Sequence, residues 1–564
     1  MPEFPLTSAY WPAQPSTPLR ETTIGSILRD AADRAPDAIA LIDGTPDRGQ
    51  RRQWTYRALL ADAERAARSL LARFSPGERV AVWAGNSPAW LVLEFGAALA
   101  GLTLVTVNPA YRGDELAHVL GHSQADGLFL ADEYQGADLR AILADVRGRL
   151  PRLREVSSLG DLADLVDAPV LAADDAPLAP VDPSDVAQLL YTSGTTGRPK
   201  GALLTHRGLT NNARLAFAAA GVRPDDVLVN PMPLFHVGGG MFTLGAVSTA
   251  ATQVLMPRFS PALQLELIET YRATLLLGVP TMMNAMIGHP DLAARDVSSL
   301  RLAISGGAVS PPALVHQVEA TLGLVYSISF AQTESSCSIT MSSAADSAED
   351  RAETLGRPLP DTDVRIADLG TGGTAGCGVV GEICTRGYLV MRGYLNDPDA
   401  TAAAIDADGW LHTGDLGSMD ERGYLRIAGR IKDMIIRGGE NIYPREIEEV
   451  LISHPAVADA TVLGFPDDHY GEIVAAAIRP ARADAAASEP GGADEPRGAD
   501  AADAEAADKG DADLADELAA FCRARLAPYK VPVRWLITDA FPLTPSGKIR
   551  KDALRDQLAA RAPA

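Results

Sequence analysis

The chain is short of the residues that usually declare a specialised class. Its four cysteines, Cys337, Cys377, Cys384 and Cys522, form no C-x-x-C pair. That spacing indicates neither a disulfide framework nor a zinc site. Positive charge is also scarce. The formal net charge is −23, which argues against nucleic acid or an anionic membrane as the main partner. An anionic ligand must then be held by local features: backbone amides, a few cations or a metal. The start of the chain, "MPEFPLTSAYWPAQPSTPLRE", has no basic opening and no apolar core, so it is not read as a secretory signal. Long apolar runs are missing too. The most apolar window, Ala89 to Val107, is interrupted by Glu94 and glycines. It predicts a buried helix running into a strand rather than a membrane span. No integral membrane segment is expected, and the expected location is the cytoplasm.

Lysine is the most telling shortage. There are only six: Lys200, Lys432, Lys509, Lys530, Lys548 and Lys551. Arginine-rich, lysine-poor composition is the coding bias of a GC-rich genome. Arginine replaces lysine easily on a surface but poorly where a compact point charge is needed. The surviving lysines are therefore informative.

At 564 residues, the chain is long enough for several domains. Its first part alternates two patterns. "TTIGSILRDAADRA" and "TYRALLADAERAARSLLARF" carry apolar residues at helical spacing, while "RVAVWAG" and "LTLVTVNP" read as buried strands. The alternation continues through "DVLVNPMPLF", "ATQVLM", "ATLLLGVP" and "LRLAISGG". It predicts an α/β fold with layered, mostly parallel sheets. From about Thr362 to Arg430 short strands and glycine turns predict a small β-rich subdomain, which closes a large N-terminal domain over 1–430. From Ile431 to Ala564 a small α+β domain is expected. Its helix over Tyr443–Pro455 has Pro444 in the first turn and an Ile447, Val450, Leu451 stripe. Within it, Ala481 to Asp513 contains no large apolar residue and carries ten acids against three bases. This insertion is expected to be disordered, because it cannot bury enough apolar surface to offset its ordering entropy. Structure is expected to resume at "LADELAAFCRARL".

The stretch "LLYTSGTTGRPKGALLTH", Leu189 to His206, is the strongest chemical signal. Gly194 and Gly197 remove side chains that would block a ligand. Successive amides in such a turn make an anion-binding nest. Thr192, Ser193, Thr195 and Thr196 add hydroxyl donors, and Lys200 adds a point charge. Together they describe a phosphate cradle, though not the G-x-x-x-x-G-K-[ST] spacing of a Walker loop.

The ten-residue pattern YTSGTTGRPK resembles the signature of the adenylate-forming superfamily, which includes acyl-CoA synthetases, 4-coumarate:CoA ligase, luciferase and peptide-synthetase adenylation domains. The resemblance spans nearly the whole chain, with five further motifs in order. In "PLFHVGG", His236 would sit beside the acyl pocket; amino-acid-activating relatives tend to carry aspartate there. "ISGGA" places Ser305, Gly306, Gly307 and Ala308 where the family holds adenine and the acyl pocket wall, and glycines at a strand end let a flat ligand lie on the backbone. In "SFAQTES" the family pattern is Tyr-Gly-x-Thr-Glu. Phe330 and Ala331 replace the tyrosine and glycine, and Gln332 precedes Thr333 and Glu334. Thr333 would contact the α-phosphate and Glu334 would bind Mg²⁺, a hard cation that favours oxygen ligands and phosphates. Phe330 can still stack on adenine. If the backbone at Ala331 needs a positive φ, alanine is strained there.

In "GWLHTGDLGSMDERGYLRIAGRIKD", the resemblance gives Asp415 and Arg430 to the ribose and makes Lys432 the hinge about which the small domain moves. "IRGGENIYP" would then present Gly438, Gly439 and Glu440 to the pantetheine arm of CoA. In "PLTPSGKIRKDAL", Lys548 matches the mobile catalytic lysine. The resemblance implies ATP, Mg²⁺ and CoA as cofactors, Lys548, Thr192, Glu334 and His236 as catalytic groups, and a hydrophobic carboxylic acid, favouring a fatty acid, as substrate. An aryl-CoA ligase, an acyl-AMP ligase that loads an acyl carrier protein, and a non-catalytic nucleotide-binding protein are the alternatives. Cys337 has no paired base in the sequence and is read as pocket wall or core.

Overall fold

The computed structural model describes residues 5–14, 18–160, 178–192, 199–467, 469–481, 501–542 and 549–560. Two compact units are distinguished: Met1–Thr413 with Ser418–Arg426, and Gly414–Gly417 with Ile427–Ala564.

The large unit is organised around two sheets. In one, six strands run parallel in the order Val325–Gln332, Leu302–Gly306, Leu275–Gly278, Val227–Asn230, Thr252–Leu255, Ile39–Asp43. Antiparallel strands extend both edges. In the other, Val186–Thr192, Thr103–Thr106, Arg79–Trp83, Gly127–Leu130 and Glu155–Ser158 are parallel. Lys200–Thr205 and Gly393–Tyr394 continue that sheet antiparallel.

One apolar core joins side chains from both sheets, such as Val82 and Leu190 from one and Leu228 and Ile304 from the other, through helices packed between them. The sequence of those helices follows from that position. The helix Pro88–Leu99 is buried from Ala89 to its end, including Glu94; a helix covered on all sides is apolar all round. It starts where Ser87 accepts the amide of Trp90 and Pro88 fills the first turn. Thus the apolar window of the sequence is a buried helix followed by the strand Thr103–Thr106, and among the described residues no helix is long and apolar enough to cross a membrane. The predicted first two helices run Ile24–Arg34 and Tyr56–Leu71, with Thr23 and Thr55 as caps.

Strands Tyr10–Trp11, Thr362–Ala367 and Gly381–Gly387, followed by the strand that begins at Leu411, form a third sheet. The small unit has its own sheet, with Val457–Asp467 and Gly471–Pro480 as the long central pair. Helix Pro444–Ile452 covers it through Ile447 and Leu451.

The acidic tract departs from expectation. A helix runs from Ala501 to Arg523, so the last part of the tract expected to be disordered over 481–513 is helical. The reason is composition: "AADAEAADKGDADLADELAAF" is dominated by alanine, the strongest helix former, and it leads directly into Leu518 and Cys522, which are anchored in the core. Residues 482–500 lie outside the described residues.

Candidate functional site

In parallel α/β sheets, ligands are received just beyond the carboxyl ends of the strands. Several predicted residues stand there. Thr192 ends its strand, directly opposite Lys200. Ser305 and Gly306 end theirs. Phe330, Ala331 and Gln332 close another, which passes into a turn at Thr333–Ser335. Ser193, Gly194, Thr195, Thr196 and Gly197 lie outside the described residues, as does Lys548.

The structure brings Thr192 and Glu334 together across 142 positions of sequence: the Thr192 hydroxyl donates to Glu334 Oε1 over 3.4 Å. A third residue joins them that the sequence reading assigned no role. The Tyr394 hydroxyl donates to the same oxygen over 2.8 Å. Burial and the Glu334 charge push the Tyr394 hydroxyl well above its ordinary value, so it stays a donor. Lys200 Nζ lies 5.2 Å from the centre of the Tyr394 ring, a cation–π distance. Tyr394 is placed by pairing with Ala202, a contact with no signature in local spacing. A carboxylate oxygen framed by hydroxyls suits a hard cation such as Mg²⁺, and Glu334 is the residue that would hold it.

Ala331 is unstrained. It is absent from the residues with positive φ, which here are Ser336 and Cys337; the strand instead shifts register between Phe330 and Ala331. The Gln332 side-chain amide donates to the Thr413 carbonyl over 2.8 Å. Gly306 has a steric reason of its own. A Cβ there would lie 2.7 Å from the Ser329 carbonyl oxygen, and Gly307 has φ +75°. His236 caps the helix Val237–Thr249, its Nδ1 accepting the Gly238 amide over 3.2 Å. Gly239 follows because a Cβ would meet the Pro233 carbonyl at 2.2 Å. Burial pushes the Cys337 thiol up to about 12, which agrees with core rather than nucleophile.

Two further residues escaped the sequence reading. The helix Gly113–Ser123 carries His118 and His122, stacked 5.6 Å apart. His122 Nδ1 hydrogen-bonds the Tyr191 hydroxyl at 2.9 Å, and His118 Nε2 bonds the Pro199 carbonyl at 3.1 Å. One helix thus holds both flanks of residues 193–198. The i, i+4 spacing of the pair was legible, but its targets are distant in sequence.

In the small unit, Asp415 is buried and pairs with Arg430 at 2.9 Å. Lys432 lies exposed in the turn Ile431–Asp433. Gly438 and Gly439 form an exposed turn with φ +59° and +91°, and Glu440 opens the next strand.

The parallel strand ends and the Thr192–Glu334–Tyr394 cluster belong to the α/β large unit, and the Asp415–Arg430 pair belongs to the small one. The AMP-binding enzyme family matches residues 28–395, and the AMP-binding enzyme C-terminal domain matches 446–548. The chain belongs to this family, the adenylate-forming superfamily, and within it is of the AMP-forming acyl-CoA synthetase type. It is similar to YngI of Bacillus subtilis (strain 168), named only provisionally as an acyl-CoA synthetase, with 38% identity over 96% of this chain and 97% of that one. The mitochondrial medium-chain acyl-CoA ligase ACSF2 of Macaca fascicularis is 33% identical over 96% of this chain and 88% of its own. Among solved structures, ATP-bound MatB from Rhodopseudomonas palustris superposes with a TM-score of 0.82 at 27% identity, covering 96% of this chain and 99% of that one.

Proposed function

We propose that the protein activates a hydrophobic carboxylic acid, with fatty acids favoured, by forming an acyl-AMP and then passing the acyl group to CoA in the cytoplasm. The observation that carries this reading is the convergence of Tyr394 and Glu334 on Thr192 beside Lys200, the two residues at which the strands flanking the glycine-rich stretch meet it.

A carboxylate is a poor acyl donor because oxide would have to leave. In the first half-reaction the substrate carboxylate attacks the α-phosphorus of ATP and pyrophosphate leaves in line. Two anions approach each other, so catalysis is charge neutralisation and positioning. Thr192, the amides and hydroxyls of Ser193 to Gly197, Lys200, Thr333 and Lys548 serve the phosphates. Mg²⁺, when held by Glu334, supplies further neutralisation of phosphate charge. Phe330 and the Ser305–Ala308 segment receive adenine, with Ala331 and Gln332 beside them. Asp415 accepts the ribose hydroxyls, steadied by Arg430. His236 borders the acyl pocket, with its Nδ1 already committed to the helix cap.

In the second half-reaction the CoA thiol attacks the mixed anhydride, a thioester forms and AMP leaves. Gly438, Gly439 and Glu440 serve the pantetheine arm, and Lys432 is the joint at which the small domain changes its use. The domain limits proposed are 1–430 and 431–564.

The deciding experiment is a mass-spectrometric product screen with pooled aliphatic and aromatic acids, ATP, Mg²⁺ and CoA. Fatty acyl-CoA products are expected. Acyl-AMP without acyl-CoA would overturn the CoA assignment in favour of an acyl carrier protein, aromatic products alone would replace the fatty acid with an aryl acid, and no adenylate from any acid would overturn the activity itself.

A further inference from the structure

Cysteine spacing gives no zinc motif, yet the third sheet of the large unit assembles a ligand set. Glu382 and Cys384 are two residues apart on the strand Gly381–Gly387, so both side chains leave the same face. His412 is the second residue of the neighbouring strand. One carboxylate oxygen, the thiol sulfur and one imidazole nitrogen from these three lie within 4.8 Å of one another. Among the described residues no other group of three His, Cys, Asp or Glu does so.

The geometry is directional. His412 Nδ1 faces both other groups, 2.7 Å from Glu382 Oε2 and 3.5 Å from Cys384 Sγ. Its other nitrogen, Nε2, faces Asp406 Oδ2 at 3.4 Å. A metal-binding histidine characteristically presents one nitrogen to the ion and gives its other N–H to a carboxylate. Asp406 is itself fixed, since its Oδ1 accepts the amides of Asp408 and Trp410. Cys384 is fully buried, while the His412 side chain keeps 30% exposure. The cluster is therefore reachable from solvent on one side and walled on the other.

We propose that Glu382, Cys384 and His412 form a binding site for one Zn²⁺ or a similar borderline-soft divalent cation, with Asp406 orienting the histidine. A mixed S, N, O set suits zinc rather than magnesium. Binding forms metal–sulfur, metal–nitrogen and metal–oxygen bonds. It releases the thiol proton, together with any proton on Nδ1, to solvent. A thiolate and a carboxylate balance the two positive charges of the ion, and the Asp406 charge is met by Arg365, 3.6 Å away. A water completes the fourth position, as in open zinc sites. The site adjoins the nucleotide machinery along the chain. The next residue, Thr413, donates its hydroxyl to the Ile383 carbonyl at 2.6 Å and takes the Gln332 amide on its own carbonyl.

The site is tested on the chelator-treated full chain, without substrate, by titration with Co²⁺ followed by competition with Zn²⁺. One equivalent of Co²⁺ is expected to bind and to give the near-ultraviolet absorption of thiolate-to-cobalt charge transfer. Cys384→Ser should abolish that band, and Asp406→Asn, which keeps all three ligands, should weaken affinity about tenfold. Circular dichroism establishes that each variant is folded; should Cys384→Ser unfold, His412→Gln takes its place, with at least tenfold weaker binding expected. Absence of the band in the wild type, its survival in Cys384→Ser, or unchanged affinity in a folded His412→Gln would overturn the proposal.

Discussion

The two units use their residues in opposite ways. In the large unit, Thr192, Tyr394, Glu334 and Gln332 are half-buried at strand ends, and each is tied by a side-chain hydrogen bond to a residue far away in sequence. In the small unit, Arg430, Lys432, Gly438, Gly439 and Glu440 are exposed, on turns or at strand ends, and among the described residues predicted for its site Asp415 alone is buried. One region fixes geometry before a ligand arrives, which lowers reorganisation during reaction. The other presents charge and open backbone on exposed turns.

The sharpest attempt to break this contrast is Lys548→Ala. Acyl-AMP formation should fall by about a thousandfold, at the upper end of what losing one charge-stabilising donor costs. Thioester formation from supplied acyl-AMP should be nearly unchanged. Separate assays of the two half-reactions decide it: if both survive, the small unit does not deliver its charge through Lys548.

The rigid unit should also reveal itself through pH. His206 is buried, its Nδ1 accepts the Ile24 amide at 3.2 Å, and burial lowers its pKa to about 4. The folded state thus favours the neutral ring. The stability this contributes is complete above the unfolded value near 6.5 and is lost as pH falls toward 4. Denaturant unfolding of the large unit should lose about 2 kcal/mol between pH 7.5 and 5 from this group. His206→Asn, which keeps an acceptor in place of Nδ1, should flatten the slope, and an unchanged slope would contradict the assignment.

Tyr394→Phe probes the fixed cluster itself. Removing the hydroxyl from Glu334 should reduce adenylation about tenfold, the worth of a hydrogen bond to a charged group, with the loss concentrated in the Mg²⁺ dependence. The smallest effect expected is that of His122→Leu. Burial and the neighbouring His118 hold the His122 imidazole below its ordinary value, so its role is a neutral hydrogen bond to Tyr191. Its loss should raise KM for ATP about threefold and leave thioester formation from acyl-AMP alone. Equal loss in both half-reactions would reduce the pair to general structural support.

The sequence located most of the elements for local reasons. Ser87 and Pro88 start a helix wherever they stand before such a segment, and the "LRLAISGG" pattern is a buried strand ending in glycines in any context. It also singled out Thr192, Glu334, Asp415 and Lys548 as candidates, because their neighbours along the chain make a recognisable pattern. In the acidic tract low hydrophobicity argues for disorder, while in its last part alanine content and a buried C-terminal anchor favour the helix Ala501–Arg523.

What the sequence by itself determined is therefore the family and the α/β layering, along with which residues are candidates for the site, since periodicity and contiguous motifs are properties of neighbours. What only the tertiary structure decided is which distant groups share an atom. Tyr394 reaches Glu334 because two strands pair; His118 and His122 reach Tyr191 and Pro199 because a helix lies beside a sheet end. Glu382, Cys384 and His412 converge because adjacent strands align. Strand register and helix docking are set by burial of the whole core, and no local window of sequence contains that sum.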